Sequence, residues 1–192
     1  MHTEIDDILT FWLDEVGAAQ WYNPPDGLDD LMRARFTEAC VSARARKLDY
    51  WAATAPGALA LLLLLDQFPR NIWRGTAEAY ASDPHGLTIA KSSINRGLDL
   101  STPEPERQFF YLPLEHSESL SDQERCLRLL LMRLPSMPEE GHRAVLGHRD
   151  VIRRFARFPS RNAILGRRDT SAELEYRALG GYMSGAPGTG PG

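Results

Sequence analysis

Residues 58–65 read Ala-Leu-Ala-Leu-Leu-Leu-Leu-Leu and close on Asp66, and this run constrains the fold more than any other feature of the chain. A segment that is apolar on every side must be covered on most sides. Eight residues are far short of the roughly twenty needed to cross a bilayer. The run therefore predicts a central core helix, beginning near Pro56, that other helices must surround.

The rest of the chain supplies those partners. Apolar residues recur at helical spacing almost throughout, and no segment alternates with the period of two that a half-buried strand would show. A first helix is expected from an N-cap at Thr3, with Ile5, Ile8, Leu9, Trp12 and Leu13 on one face. The loop containing Pro24, Pro25, Asp26 and Gly27 ends that pattern. A second helix over residues 29–48 places Met32, Phe36, Ala39 or Cys40, and Ala43 on its buried stripe, and Trp51 anchors the corner that follows. Further helices are expected over 84–96, 105–118, 122–134, 139–157 and 171–183, the last opened by a Thr170/Glu173 capping box. Pro113 is expected to kink the helix over 105–118. The fold class is thus all-α. One domain is expected over residues 1–183, and residues 184–192, rich in Gly and Pro, are expected to be a disordered tail.

Composition narrows the function. The net charge of -4 argues against a protein built to coat nucleic acid. Cys40 and Cys126 lie too far apart in sequence for a CxxC redox motif or a zinc knuckle. The acidic start lacks the layout of a secretory signal, so a reducing, cytoplasmic location is expected, with no membrane partner. No nucleophile elbow, GxxxxGK[ST] loop or GxGxxG turn is present, and no cofactor is expected.

Three groups of residues carry the chemistry. The first is a run of arginines. Between His142 and Arg168 stand eight arginines and one acid, Asp150, a local charge of +7 that leaves -11 for the rest of the chain. Arg149, Arg153 and Arg157 fall on one edge of a helix, so something negative should face them. The candidates are internal carboxylates, Asp66, Glu115, Glu118 or Asp150, in a buried network, or an anionic ligand held by guanidinium forks. The second group is Glu115-His116, where a histidine beside a carboxylate suits proton transfer. His116, His148 and Glu115 or Asp150 would also be the metal ligands if there were any, but their spacing matches no metal motif and no metal is expected. The third is Asp66-Gln67-Phe68-Pro69-Arg70-Asn71, in which a partly buried Asp66 requires a cationic partner.

Phe68-Pro69-Arg70-Asn71, followed by Arg74, is echoed ninety residues later by Phe158-Pro159-Ser160-Arg161-Asn162. Each proline is expected to stop a helix at the phenylalanine before it. The two corners are expected to face one another and share an anion, or a carboxylate standing in for one.

These motifs resemble a bacterial family known as domain of unknown function 924. The matching stretches are Phe11-Trp12, residues 64–71 with Arg74-Gly75-Thr76, residues 111–118, and residues 148–167, covering almost everything but the tail. The resemblance implies a tetratricopeptide-like, α/α-superhelical fold and no established activity. The family commonly carries His where Ser160 stands here.

Together these features predict a site for a small anionic molecule. Asp66, Arg70, Asn71, Arg74, His148, Arg149, Arg153, Arg161 and Asn162 would surround the ligand, with Glu115 and His116 as tentative catalytic groups. The alternatives are a helical scaffold for a peptide or protein partner, a metalloprotein, and last an RNA binder.

Overall fold

A computed structural model describes residues 4–181, and among them there are helices and turns but no β-strand. The helices are α1 (Ile5–Leu9), α2 (Leu28–Arg44), α3 (Ala55–Leu62), α4 (Phe68–Ile72), α5 (Asp83–Asn95), α6 (Leu112–Glu115), α7 (Leu120–Arg133), α8 (Glu139–Phe155) and α9 (Ser171–Ala178). Glu4 caps α1 through a reciprocal box with Asp7, and the expected cap, Thr3, lies outside the described residues. The capping box of Thr170 and Glu173 opens α9 as its sequence requires. Its end at Ala178 falls short of the expected 183. That residue and the tail over 184–192 are outside the described residues.

The apolar run is buried along its whole length, with every residue from Ala58 to Leu65 at most 3% exposed. Helix α3 packs on α1 and α5, α4 on α2, and α6 on α5, α7 and α8. Phe11, Trp12, Phe36, Phe68 and Phe109 interlock as tilted and edge-on ring pairs over it. Gly57 lets α3 start tightly against the Trp51 corner, where a Cβ would stand 2.2 Å from the Trp51 carbonyl oxygen. A second, small apolar cluster of Val151, Ile152 and Phe158, with Phe155 and Tyr176 against it, is separate from the main core.

Two prolines behave differently from expectation. Pro69 does not stop a helix, because Phe68–Ile72 is itself helical. Between α3 and α4 the chain widens into a π-helical turn, Leu63–Gln67, closed by the Phe68 N–H on the Leu63 carbonyl. Pro69 has no N–H to offer the Leu65 carbonyl four residues earlier. The Ser82 hydroxyl donates to that carbonyl instead, at 2.7 Å. Pro113 does not kink a helix over 105–118. A 3-10 turn, Glu106–Phe110, precedes it, and Pro113 lies in the first turn of α6, where a missing N–H costs no helical bond. At the second echo Phe158 is extended as expected, but α8 has already ended at Phe155, where Ala156 turns left-handed at φ 57°.

Candidate functional site

The π-helical turn leaves Asp66 1% exposed at the end of the most apolar segment of the protein. A carboxylate there needs partners. His116, the residue that ends α6, provides one: its Nδ1 is 2.8 Å from Asp66 Oδ1. Gln67 Nε2 donates to Oδ2 at 2.5 Å. Arg70, one turn further along, donates to the Asp66 carbonyl and lies 3.4 Å from Oδ1. Burial alone would raise the Asp66 carboxyl, but Arg70 and His116 hold it well below the usual carboxylate range. Burial, reinforced by Arg70, pushes the His116 imidazole below its ordinary value against the pull of Asp66 and Glu115. A neutral ring with a carboxylate at Nδ1 carries its proton on Nδ1, which leaves the Nε2 lone pair as a base. Nε2 makes no hydrogen bond with the described residues.

Asp83 joins the two Phe-Pro corners. As the first residue of α5 it receives both terminal nitrogens of Arg70 at 3.1 Å each. Arg161 reaches the same carboxylate at 3.5 Å and donates to the His116 carbonyl at 3.1 Å. The Arg161 guanidinium lies over the rings of Phe158 and Tyr80, with centroids at 4.5 and 4.8 Å. Burial and the nearby Arg70 push Arg161 below its ordinary value, against Asp83. Arg70 is the opposite case: burial opposes its charge, yet Asp66 and Asp83 raise it.

The segment after α6 is held by its own bonds. Gln123, fully buried on α7, donates to the carbonyls of Glu115 and Ser117. Glu115 pairs with His148 of α8, which pulls the carboxyl down although burial would raise it. Glu118 accepts from the Phe158 N–H at 2.8 Å and from Arg167 at 2.7 and 2.9 Å. Over this polar cluster opens a pocket of about 350 Å³. His116, Ser117, Glu118, Asp83, Arg161 and Tyr80 form its polar wall, and Pro84, Leu87, Pro113 and Leu165 are among its apolar ones.

The structure therefore gathers Asp66, Arg70, Glu115, His116, His148 and Arg161 into one cluster. Only His116 and Arg161 of these line the pocket, and Glu115 stands behind it on His148. The other expected ligand residues are elsewhere. Asn71 and Arg74 both bind Asp29 at the start of α2. Arg149 pairs with its neighbour Asp150, and Arg153 with Glu124 of α7. Asn162 is fully buried between Asp169 and Arg167. The +7 segment is matched by acids from outside it, since Arg157 binds Glu173 and Arg167 binds Glu118. Among the described residues no three His, Cys, Asp or Glu side chains are gathered as a metal-ligand set, and no helix is long and apolar enough to cross a membrane.

Sequence reasoning missed Asp83 and Tyr80. Ser82-Asp83-Pro84 has the composition of a helix start, with an acid and a proline in the first turn, and that local role hides its long-range one.

The family described as "Bacterial protein of unknown function (DUF924)" matches residues 8–181. A solved structure, described as a protein of unknown function, ATU0120, from Agrobacterium tumefaciens, is similar to this chain at 40% sequence identity and a TM-score of 0.84. The similarity covers 91% of this chain and 97% of that one. No curated protein matches.

Proposed function

The chain belongs to the bacterial DUF924 family, and from that premise we propose that its pocket binds a small anionic molecule and that His116 takes a proton from it or from a water beside it. The observation that carries this reading is the Asp66–His116 pair at the pocket wall. A buried carboxylate fixes the ring and its tautomer and stabilises the imidazolium that proton uptake would create. Arg161 supports an anionic ligand. It lines the same wall, it is buried, and its one ionic partner among the described residues, Asp83, is shared with Arg70 and lies 3.5 Å away. Glu118 and Gln123 would position the backbone on which His116 stands.

Nitrogen-detected NMR of the His116 ring tests the base. The expected spectrum shows the Nδ1–H tautomer at neutral pH. An Nε2–H tautomer would remove the proposed role. Thermal melts against small carboxylates and phosphates test the ligand class: stabilisation of the wild type that disappears in both Arg161→Ala and His116→Gln supports the site. Stabilisation that persists in both variants places the anion elsewhere.

A further inference from the structure

Asp83 and Arg161 both line the pocket and are paired at 3.5 Å, whereas Arg70 holds the same Asp83 carboxylate through two bonds of 3.1 Å from behind. We infer that Asp83 occupies the place of a ligand carboxylate, and that the ligand is a small monocarboxylic acid with an apolar body whose carboxylate takes Arg161 from Asp83. This rests on the reading of the pocket as an anion site. Arg161 can change partner without stranding Asp83, because Arg70 retains it in a bidentate fork, the stronger of the two arrangements. Arg70 cannot change partner in the same way, since it also serves Asp66 and does not line the pocket.

Charge and shape select the class. Around the pocket three carboxylates, Asp66, Asp83 and Glu118, are matched by three guanidiniums, Arg70, Arg161 and Arg167, and a fourth, Glu115, is paired with the His148 imidazole. A carboxylate adds one negative charge to this balanced set, and a phosphate dianion would add two at a buried wall, where uncompensated charge is costly. A planar carboxylate also suits a guanidinium whose Cζ is held over the Phe158 and Tyr80 rings. Beyond the polar wall, Pro84, Leu87, Pro113 and Leu165 present only apolar atoms of side chains to a bound molecule. They suit a short hydrocarbon or aromatic body and offer nothing to a second charged group.

Calorimetric titration of the full chain with benzoate, phenyl phosphate and benzamide tests this, since the three probes share one body and differ in head group. Benzoate is expected to bind, phenyl phosphate to bind more weakly, and benzamide not to bind. Asp83→Asn should tighten benzoate by about fivefold or more, because the competing carboxylate is gone, and Arg161→Ala should weaken it by more than about tenfold, the scale of one charged hydrogen bond. Asp83→Ser provides the same test if the Asn variant melts early. Benzoate affinity unchanged or weakened in both folded Asp83 variants would overturn the exchange while leaving an anion site in place. Phenyl phosphate binding more tightly than benzoate would overturn the carboxylate assignment. No binding of any probe to the wild type or to either Asp83 variant would overturn both this inference and the pocket reading on which it rests.

Discussion

The two Phe-Pro corners place the same dipeptide in different backbone settings. At Phe68-Pro69 the helix continues, because the π-helical turn absorbs the proline and the Ser82 hydroxyl takes over the Leu65 carbonyl. At Phe158-Pro159 the helix has already ended at Phe155, and the Phe158 N–H is bound by Glu118. In neither corner does the proline end the helix: Pro69 lies within one, and α8 is ended by the left-handed Ala156, three residues before Pro159. The arginines differ too. Arg70 is fixed between two carboxylates, whereas Arg161 shares one.

The largest test of this contrast is Arg70→Ala against Arg161→Ala. Removing Arg70 leaves Asp66 buried without its guanidinium, and a loss of about 3–5 kcal/mol is expected, the scale of a broken buried ion pair. Arg161 is the less well neutralised of the two, so its removal should cost clearly less, about 1–2 kcal/mol. Urea unfolding of ligand-free protein compares them. Equal losses would break the distinction between a structural and a ligand-facing arginine.

Ser82→Ala comes next. It leaves the Leu65 carbonyl without its donor, and an unsatisfied buried acceptor costs about 1–3 kcal/mol. The double variant Ser82→Ala/Pro69→Ala sharpens the comparison, because alanine restores an N–H four residues after Leu65. It should be more stable than Ser82→Ala alone, a coupling that a double-mutant cycle measures. Pro159→Ala should show no coupling to Ser82. Coupling of the same size at both prolines would mean that the hydroxyl does not account for the first corner.

At the second corner, Glu118→Gln weakens the acceptor for Phe158 and Arg167, with an expected loss of about 1–2 kcal/mol in the same unfolding experiment. A neutral result would leave the second corner held by its apolar cluster alone.

The smallest effect concerns pH. Burial lowers the His116 imidazole in the folded protein, so the unfolded chain, with a value near about 6.5, binds the proton more readily. Stability from neutral His116 is complete above that value and is lost as pH falls from it through the lower folded value. Asp66, also lowered in the fold, contributes above about 3.9 and fails only in stronger acid. Melting temperatures between pH 8 and 5 should fall with pH in the wild type and fall less in His116→Gln. His85, lowered chiefly by burial, leaves a residual slope. Identical slopes would show that His116 is not buried as a neutral ring.

Local pattern alone identified the α class, the central position of residues 58–65, the stripe of α2 and the cap of α9, because period, burial and capping are short-range properties of neighbouring residues. It also marked Asp66 as an acid in need of a partner, since a charge beside an apolar run cannot stay unpaired, and Arg70, His116, His148 and Arg161 as candidate site residues. Which partner each one meets depended on tertiary structure. Arg74, Arg149 and Arg153 look no different in sequence from Arg70 and Arg161, yet they pair at Asp29, Asp150 and Glu124 outside the cluster. Asp83 looks like a helix start and becomes the shared anion of both corners. Pro69 looks like a stop, and the hydroxyl of Ser82, 17 residues after Leu65, makes it part of a helix. Pairings of this kind are set by how helices cross in space, and a single chain's local pattern carries no record of the crossing.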